Sequence, residues 1–335
     1  MLTKKLTIPL QRIEHPLFKA KGLTLDSLRI DKTDPLISGN KWFKLKYNFI
    51  EAKQQKHHTL VSFGGAYSNH LHALAGAAKA ENLNVIGIIR GEAHSPLNPT
   101  LSDVTALGMK LYYIDRKTYR NKHLTEELEK IRQMIIKDDP FSMGQQAGKF
   151  YLVPEGGTNQ LAVQGASEIA AFIPDQTDFV CLPCGTGGTF AGMLYGLMQK
   201  KATSSLTLLG FPAMKGGQFL EAVIKDLLSQ QVQADNTLNN IPNNTTNNNT
   251  IAWQLLYDWS FGGFAKMNKD LALFIQDFEL NYPLELDPIY TAKMMYAIVS
   301  LAEMDFFPQG SRIIAVHTGG LQGRRGMIER IQTHF

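Results

Sequence analysis

The chain has 335 residues, about two domains at roughly 100–200 residues each. Hydrophobic residues make up 44% and charged residues 19%, a balance that excludes a disordered or fibrous chain. The 34 Lys and Arg against 30 Asp and Glu leave a net +4. With basic residues clustering only in pairs such as Lys4-Lys5 and Arg324-Arg325, a nucleic-acid partner is not expected.

No apolar run approaches the ~18 residues needed to span a bilayer, and the basic pair near the N-terminus has no apolar block after it. The expectation is a cytoplasmic protein without a membrane partner. Cys181 and Cys184 form a lone C-x-x-C within an apolar run, which reads as packed thiols rather than a metal or redox site. His70 and His72, two residues apart, suit no metal site on a helix, so no metal is expected.

In chain order, the first candidate is Ser38-Gly39-Asn40-Lys41, with Gly39 and Asn40 as turn formers and a helix starting near Lys41. A lysine held there loses solvent and nears helix-end amides; both effects disfavour its ammonium and favour a nucleophilic amine. A strand over 58–63 then stops at Gly64-Gly65, before Ala66-Tyr67-Ser68-Asn69-His70 and a helical pattern. Ser68 or Asn69 caps that helix and faces the crevice beyond a strand's carboxyl end. Strands follow over 84–89, 111–114 and 151–153, then Pro154-Glu155-Gly156-Gly157 and a helix over about 160–173.

A strand over 178–182 leads to Cys184-Gly185-Thr186-Gly187-Gly188-Thr189, which opens a helix to about 200. Successive Gly and Thr residues let backbone N–H groups converge on an anion such as a monophosphate. The run lacks the Lys of a triphosphate loop, and Phe190 stands where a dinucleotide fingerprint has its third glycine. After a strand over 206–209, residues 231–250 are rich in Asn and Thr and read as a flexible surface insertion. Asp287 reads as an N-cap, with Pro288 and Tyr290 in the first turn of the following helix, where positive helix potential favours the phenolate. A last strand, 312–316, ends at His317-Thr318-Gly319-Gly320. Apolar strands alternating with helices give an α/β fold of parallel sheets covered on both faces. A turn lysine, a phosphate loop and a Ser-Asn turn together suit pyridoxal 5′-phosphate (PLP), which needs an amine, an anion cradle and room for a carboxylate.

The same motifs, in order from residue 38 to 320, resemble the 1-aminocyclopropane-1-carboxylate deaminase and D-cysteine desulfhydrase family. The resemblance implies the two-domain PLP fold type II, like the tryptophan synthase β chain. A large domain would join residues 1–43 to 153–335, and a small one would span 44–152. The cofactor would lie between them, with domain closure on substrate, in a homodimer. Lys41 would hold the cofactor as a Schiff base, Asn69 would bond its 3′-oxygen, and Gly185, Thr186, Gly187, Gly188 and Thr189 would take its phosphate. Ser68, Asn69 and His70 would bind the carboxylate of a small amino-acid substrate, with Ser68 also a candidate nucleophile or proton carrier and Tyr290 at the substrate face. Deaminases of the family carry Glu after the tyrosine and Leu in His-x-Gly-Gly; here Thr291 and Thr318 stand there, as in the desulfhydrases. A hydroxyl stabilises a protonated pyridine ring less than a carboxylate does, which suits β-elimination with a good leaving group. The implied lyase reaction is therefore D-cysteine to pyruvate, sulfide and ammonia. The alternative is 1-aminocyclopropane-1-carboxylate to 2-oxobutanoate and ammonia. A serine or threonine dehydratase of the same fold and a catalytically silent metabolite-binding protein are further alternatives. The chain departs from the family at Gly262-Gly263-Phe264-Ala265, where a Gly-Tyr-Gly loop is usual.

Overall fold

The computed structural model describes residues 2, 4–138, 149–200, 206–238 and 251–327. In chain order the elements are β1 (Leu10–Arg12), α1 (Pro16–Ala20), β2 (Thr24–Leu28), α2 (Asn40–Gln54), β3 (Thr59–Gly64), α3 (Asn69–Ala80), β4 (Asn84–Arg90), α4 (Pro99–Ala106) and β5 (Met109–Ile114). Next come α5 (Arg116–Arg120), α6 (Thr125–Asp138), β6 (Tyr151–Val153), α7 (Gln160–Ser167), β7 (Phe179–Cys184), α8 (Gly188–Gln199) and β8 (Thr207–Pro212). The last are α9 (Phe219–Leu238), β9 (Ala252–Leu255), α10 (Lys269–Asn281), α11 (Thr291–Glu303) and β10 (Arg312–Val316).

Two compact units result: residues 48–157 form one, and 2–47 with 158–335 the other. The first holds a four-stranded sheet in the order β5-β4-β3-β6, parallel throughout. Its interior is apolar, with Val61, Phe63, Ile88 and Tyr112 packed against Ile131 and Ile135 of α6. The second holds a six-stranded sheet in the order β1-β2-β10-β7-β8-β9, parallel except where β1 pairs antiparallel with β2. Its core joins Leu25, Cys181, Leu209 and Ile313 of the strands to Phe278, Met294 and Ile298 of the helices. Every residue of β3, and all but the first of β7, is buried, as expected of strands covered on both faces.

Two expectations need correction. The helical pattern over 160–173 is α7 only to Ser167, after which residues 168–172 tighten into a 3-10 turn. The Asn-rich segment is helical at its start, because α9 carries on through Leu238 and buries Gln231. Its remainder, 239–250, lies outside the described residues. Cys181 and Cys184 are free, buried thiols of β7, and burial pushes the Cys184 thiol up to about 12. Among the described residues, no helix is long and apolar enough to cross a membrane, and no three His, Cys, Asp or Glu side chains gather to hold a metal.

Candidate active site

In the six-stranded unit the chemistry-bearing loops follow the carboxyl ends of β7 and β10, the edge where parallel α/β sheets bind ligands. Gly39, with φ +71°, turns the chain into α2, and a Cβ there would lie 1.9 Å from the carbonyl oxygen of Thr318. That carbonyl accepts the N–H of Asn40 at 3.2 Å, pinning the helix start to the loop after β10. The next residue is Lys41. Its Nζ donates to Asn40 Oδ1 at 2.9 Å, and Asn40 Nδ2 donates to Thr189 Oγ1 at 2.9 Å, so one amide bridges the lysine to the glycine-rich turn. Burial pulls the Lys41 ammonium down to about 8, with Asp287 acting in the opposite direction. A nucleophilic amine is therefore accessible near neutral pH.

The glycine-rich turn closes β7 and opens α8. Gly187 is the N-cap with φ +79°, a left-handed conformation open to glycine, and no side chain caps the helix. The first amides of α8 are therefore left for a ligand, and the helix dipole favours an anion there. Thr186 is exposed while Gly187, Gly188 and Thr189 are buried. Beside the turn lies Lys44, 2% exposed, whose Nζ donates to Thr158 Oγ1 at 2.8 Å; that oxygen is 2.5 Å from Thr186 Oγ1. A Cβ on Gly188 would stand 2.9 Å from the Thr158 methyl and 3.4 Å from Lys44 Nζ. Burial, then the charge of Lys41, holds the Lys44 ammonium well below its ordinary range. A phosphate dianion at the open amides offsets both effects, so the residues present fit a phosphorylated cofactor.

Tyr290 faces this turn: a Cβ on Gly185 would lie 3.2 Å from its ring and 3.3 Å from its hydroxyl. The structure corrects its place in the helix. Asp287 Oδ1 accepts the N–H groups of Ile289 (3.0 Å) and Tyr290 (2.7 Å), forming a separate side-chain-closed turn, and α11 begins only at Thr291. Tyr290 is thus the N-cap, with φ −124° and ψ −71°, not a first-turn residue. Thr291 is fully buried and its Oγ1 accepts the Asp287 N–H at 2.7 Å. Thr318 is buried beside Gly39. Asp287 is also fully buried, with Oδ2 unpartnered, and burial pushes its pKa up to about 7 against the pull of the Tyr290 and Ile289 amides and of Lys293 and Lys41.

In the four-stranded unit, β3 ends at Gly64 and α3 starts at Asn69. Ser68 is the N-cap, its Oγ accepting the Leu71 N–H at 3.2 Å, and Asn69 is the first helical residue. His70 is 3% exposed, and its Nε2 meets Ser62 Oγ at 2.8 Å; Ser62 in turn donates to the Val153 carbonyl at 2.7 Å. That nitrogen is spent on joining α3 to β3 and β6.

The family profile described as "Pyridoxal-phosphate dependent enzyme" matches residues 16–319. The chain belongs to that family. PLP is therefore its cofactor, and the mixed α/β architecture is that of the type II fold. Among relatives of this PLP enzyme, a Pyrococcus horikoshii protein provisionally named 1-aminocyclopropane-1-carboxylate deaminase is 26% identical over 299 residues, 88% of this chain and 84% of the relative. A bifunctional D-cysteine desulfhydrase/1-aminocyclopropane-1-carboxylate deaminase of Arabidopsis thaliana is 26% identical over 325 residues, 92% of this chain and 75% of the relative. A crystal structure described as an ACC deaminase homologue superposes with a TM-score of 0.80 at 24% identity, covering 99% of this chain and 94% of the other, which speaks to the fold.

Within the six-stranded unit the structure brings Lys41, Gly185–Thr189, Tyr290 and Thr318 together through Asn40 and Gly39. The sequence gives no site role to Asn40, Lys44 or Thr158, which the structure joins to this cluster. The one available signal for Lys44 was a charge embedded in the apolar run Trp42-Phe43-Lys44-Leu45.

Proposed function

We propose that this PLP enzyme catalyses β-elimination on a small D-amino acid, D-cysteine foremost, giving pyruvate, sulfide and ammonia. The observation that carries the proposal is the side chain after Tyr290. It is Thr291, uncharged and hydrogen-bonded to the Asp287 backbone, so that position offers no carboxylate to hold a proton on a pyridine nitrogen. Hydroxyls at Thr291 and Thr318, in place of a carboxylate, suit departure of a stable thiolate better than opening of a carbon ring.

Bound at this site, the cofactor supplies an electron sink for the charge left when the substrate loses its α-proton. Lys41, partly deprotonated near neutral pH, provides the amine that anchors it and a base for that proton. The open amides of α8, with Thr186, Thr189 and Lys44, hold the phosphate. Tyr290 stands beside the cradle as a proton donor to a leaving group. Ser68 keeps a hydroxyl proton to donate after accepting from Leu71, and with Asn69 it is assigned to the substrate carboxylate and the cofactor's 3′-oxygen. His70 serves by fixing the turn that presents them. A cytoplasmic homodimer is part of the same proposal.

The second reading, deamination of 1-aminocyclopropane-1-carboxylate to 2-oxobutanoate, is favoured by the name of the archaeal relative. Incubation with D-cysteine, L-cysteine and 1-aminocyclopropane-1-carboxylate, with sulfide, pyruvate and 2-oxobutanoate measured separately, decides between them. Sulfide and pyruvate from the D-isomer alone are expected; 2-oxobutanoate without sulfide transfers the assignment to the second reading. Borohydride reduction should label the peptide containing Lys41, and Lys41→Ala should lose the label and about 10³-fold or more of the turnover.

A further inference from the structure

Lys293 is a buried ammonium for which the chemistry above has no use. It lies in the first turn of α11, 1% exposed, and Nζ donates to the carbonyls of Ala213 (3.2 Å), Ser260 (2.8 Å) and Gly263 (2.8 Å). A lysine has three N–H donors, so all are spent on backbone. Ala213 follows the carboxyl end of β8, while Ser260 and Gly263 belong to the segment between β9 and α10. That segment is contorted: Phe261, Gly262, Gly263 and Ala265 have φ of 51°, 85°, 117° and 54°. Left-handed backbone at Phe261 and Ala265 costs about 1–2 kcal/mol each, so other contacts must hold the loop. Phe261 packs edge-on to Tyr296 with centroids 4.9 Å apart, and Lys293 ties down the carbonyls. The loop presents Phe264, 49% exposed, edge-on to Tyr290 at 6.1 Å.

We propose that Lys293 is a positioning residue, its ammonium strapping the Ser260–Ala265 loop so that Phe264 stands beside Tyr290 as an apolar wall for the substrate's β-substituent. The wall half of this proposal rests on the cofactor site and substrate face assigned above. It selects sulfur-bearing over hydroxyl-bearing amino acids, since a hydroxyl against a phenyl ring leaves its hydrogen bonds unmade while a thiol loses little. Asp287 provides the counter-charge, holding the Lys293 proton on against burial.

Amide hydrogen exchange on the cofactor-free protein tests the strap. In Lys293→Met, residues 260–265 should exchange about tenfold faster or more while α3 and β4 keep their rates; unchanged protection overturns the proposal. Phe264→Tyr, at an exposed position that does not threaten folding, tests the wall even if Lys293→Met does not fold. The kcat/KM for D-serine relative to D-cysteine should rise about tenfold with the cofactor absorbance unaltered, and an unchanged ratio removes the wall. A chain that never develops cofactor absorbance, yet shows the exchange response, sinks the assigned cofactor site and the wall with it, while the strap stands.

Discussion

Two turns of this chain have the same local design and different chemistry. Each leaves the carboxyl end of a buried parallel strand and opens a helix of 12 residues: β3 into α3, and β7 into α8. At α3 the N-cap is Ser68, in extended conformation, and its own oxygen takes the Leu71 amide. At α8 the N-cap is Gly187, in left-handed conformation, with no side chain to take anything. A self-capped helix start has one fewer N–H to offer and keeps a hydroxyl, which suits a single carboxylate or a proton transfer. An uncapped start offers its whole first turn, which suits an anion of higher charge. The division proposed above, substrate at one turn and phosphate at the other, thus rests on one N-cap residue in each.

The largest expected effect comes from erasing that difference at α8. Gly187→Asp places a β-carbon in a left-handed conformation, costing about 1–2 kcal/mol, and brings a carboxylate that competes for the open amides and repels phosphate. Cofactor affinity, read as absorbance on titrating the cofactor-free protein with PLP, should fall about 100-fold or more, corresponding to about 3 kcal/mol. Gly187→Ala carries the strain without the competing cap and should lose roughly tenfold. Equal losses in the two variants would mean that backbone strain, not capping, sets the difference between the turns.

The position of both turns is legible in the sequence, because strand-glycine-helix punctuation survives in one dimension and the cap follows from the residue itself: Ser68 has a hydroxyl to cap with and Gly187 has no side chain. What was not legible depends on where chains meet in space. Lys44 reads as a stray charge until α2 lays it beside Thr158 and Thr186. The strand Thr24–Leu28 escapes notice because Asp26 breaks its apolar run; it is buried only because Arg12 (2.6 Å) and Arg312 (3.2 Å) meet it from the neighbouring strands. The start of α11 lies three residues beyond the one the sequence suggests, since an Asp-Pro pair signals a helix start equally whether the Asp caps the helix or closes a turn ahead of it.

A smaller effect sharpens the comparison at α3. Ser68→Ala removes the cap and should destabilise the protein by about 1 kcal/mol, seen as a lower denaturation midpoint. Ser68→Asp restores a cap acceptor and should recover that stability. Neither variant retains the hydroxyl proton, so turnover should fall about 100-fold in both. Full kcat/KM in Ser68→Ala would reduce the residue to a cap and strip the turn of its proposed role.

The smallest effect concerns the carboxylate behind the cradle. Asp287→Asn keeps an oxygen to accept the Ile289 and Tyr290 amides, so the turn survives while the charge goes. Lys41, Lys293 and Arg324 all respond to that charge, and Lys44 responds to Lys41. Burial already lowers Lys41 from 10.5 to about 8 and Asp287 opposes it, so removing the carboxylate lowers Lys41 further. The pH at which Lys41 of the cofactor-free protein becomes reactive, followed by amine labelling and peptide mapping, should move acid-ward by about half to one pH unit. Stability carries an independent signature. The folded pKa of Asp287, about 7, lies above its free value of 3.8, so the folded chain binds the extra proton between those values. This group's contribution is complete below the lower value and is lost as pH rises through the upper one, whereas Asn does not titrate. The variant should therefore gain on its parent as pH climbs from about 4 to 7. A stability difference that moves while Lys41 labelling does not would place Asp287 in the service of the Lys293 strap alone, and leave the nucleophile tuned by burial only.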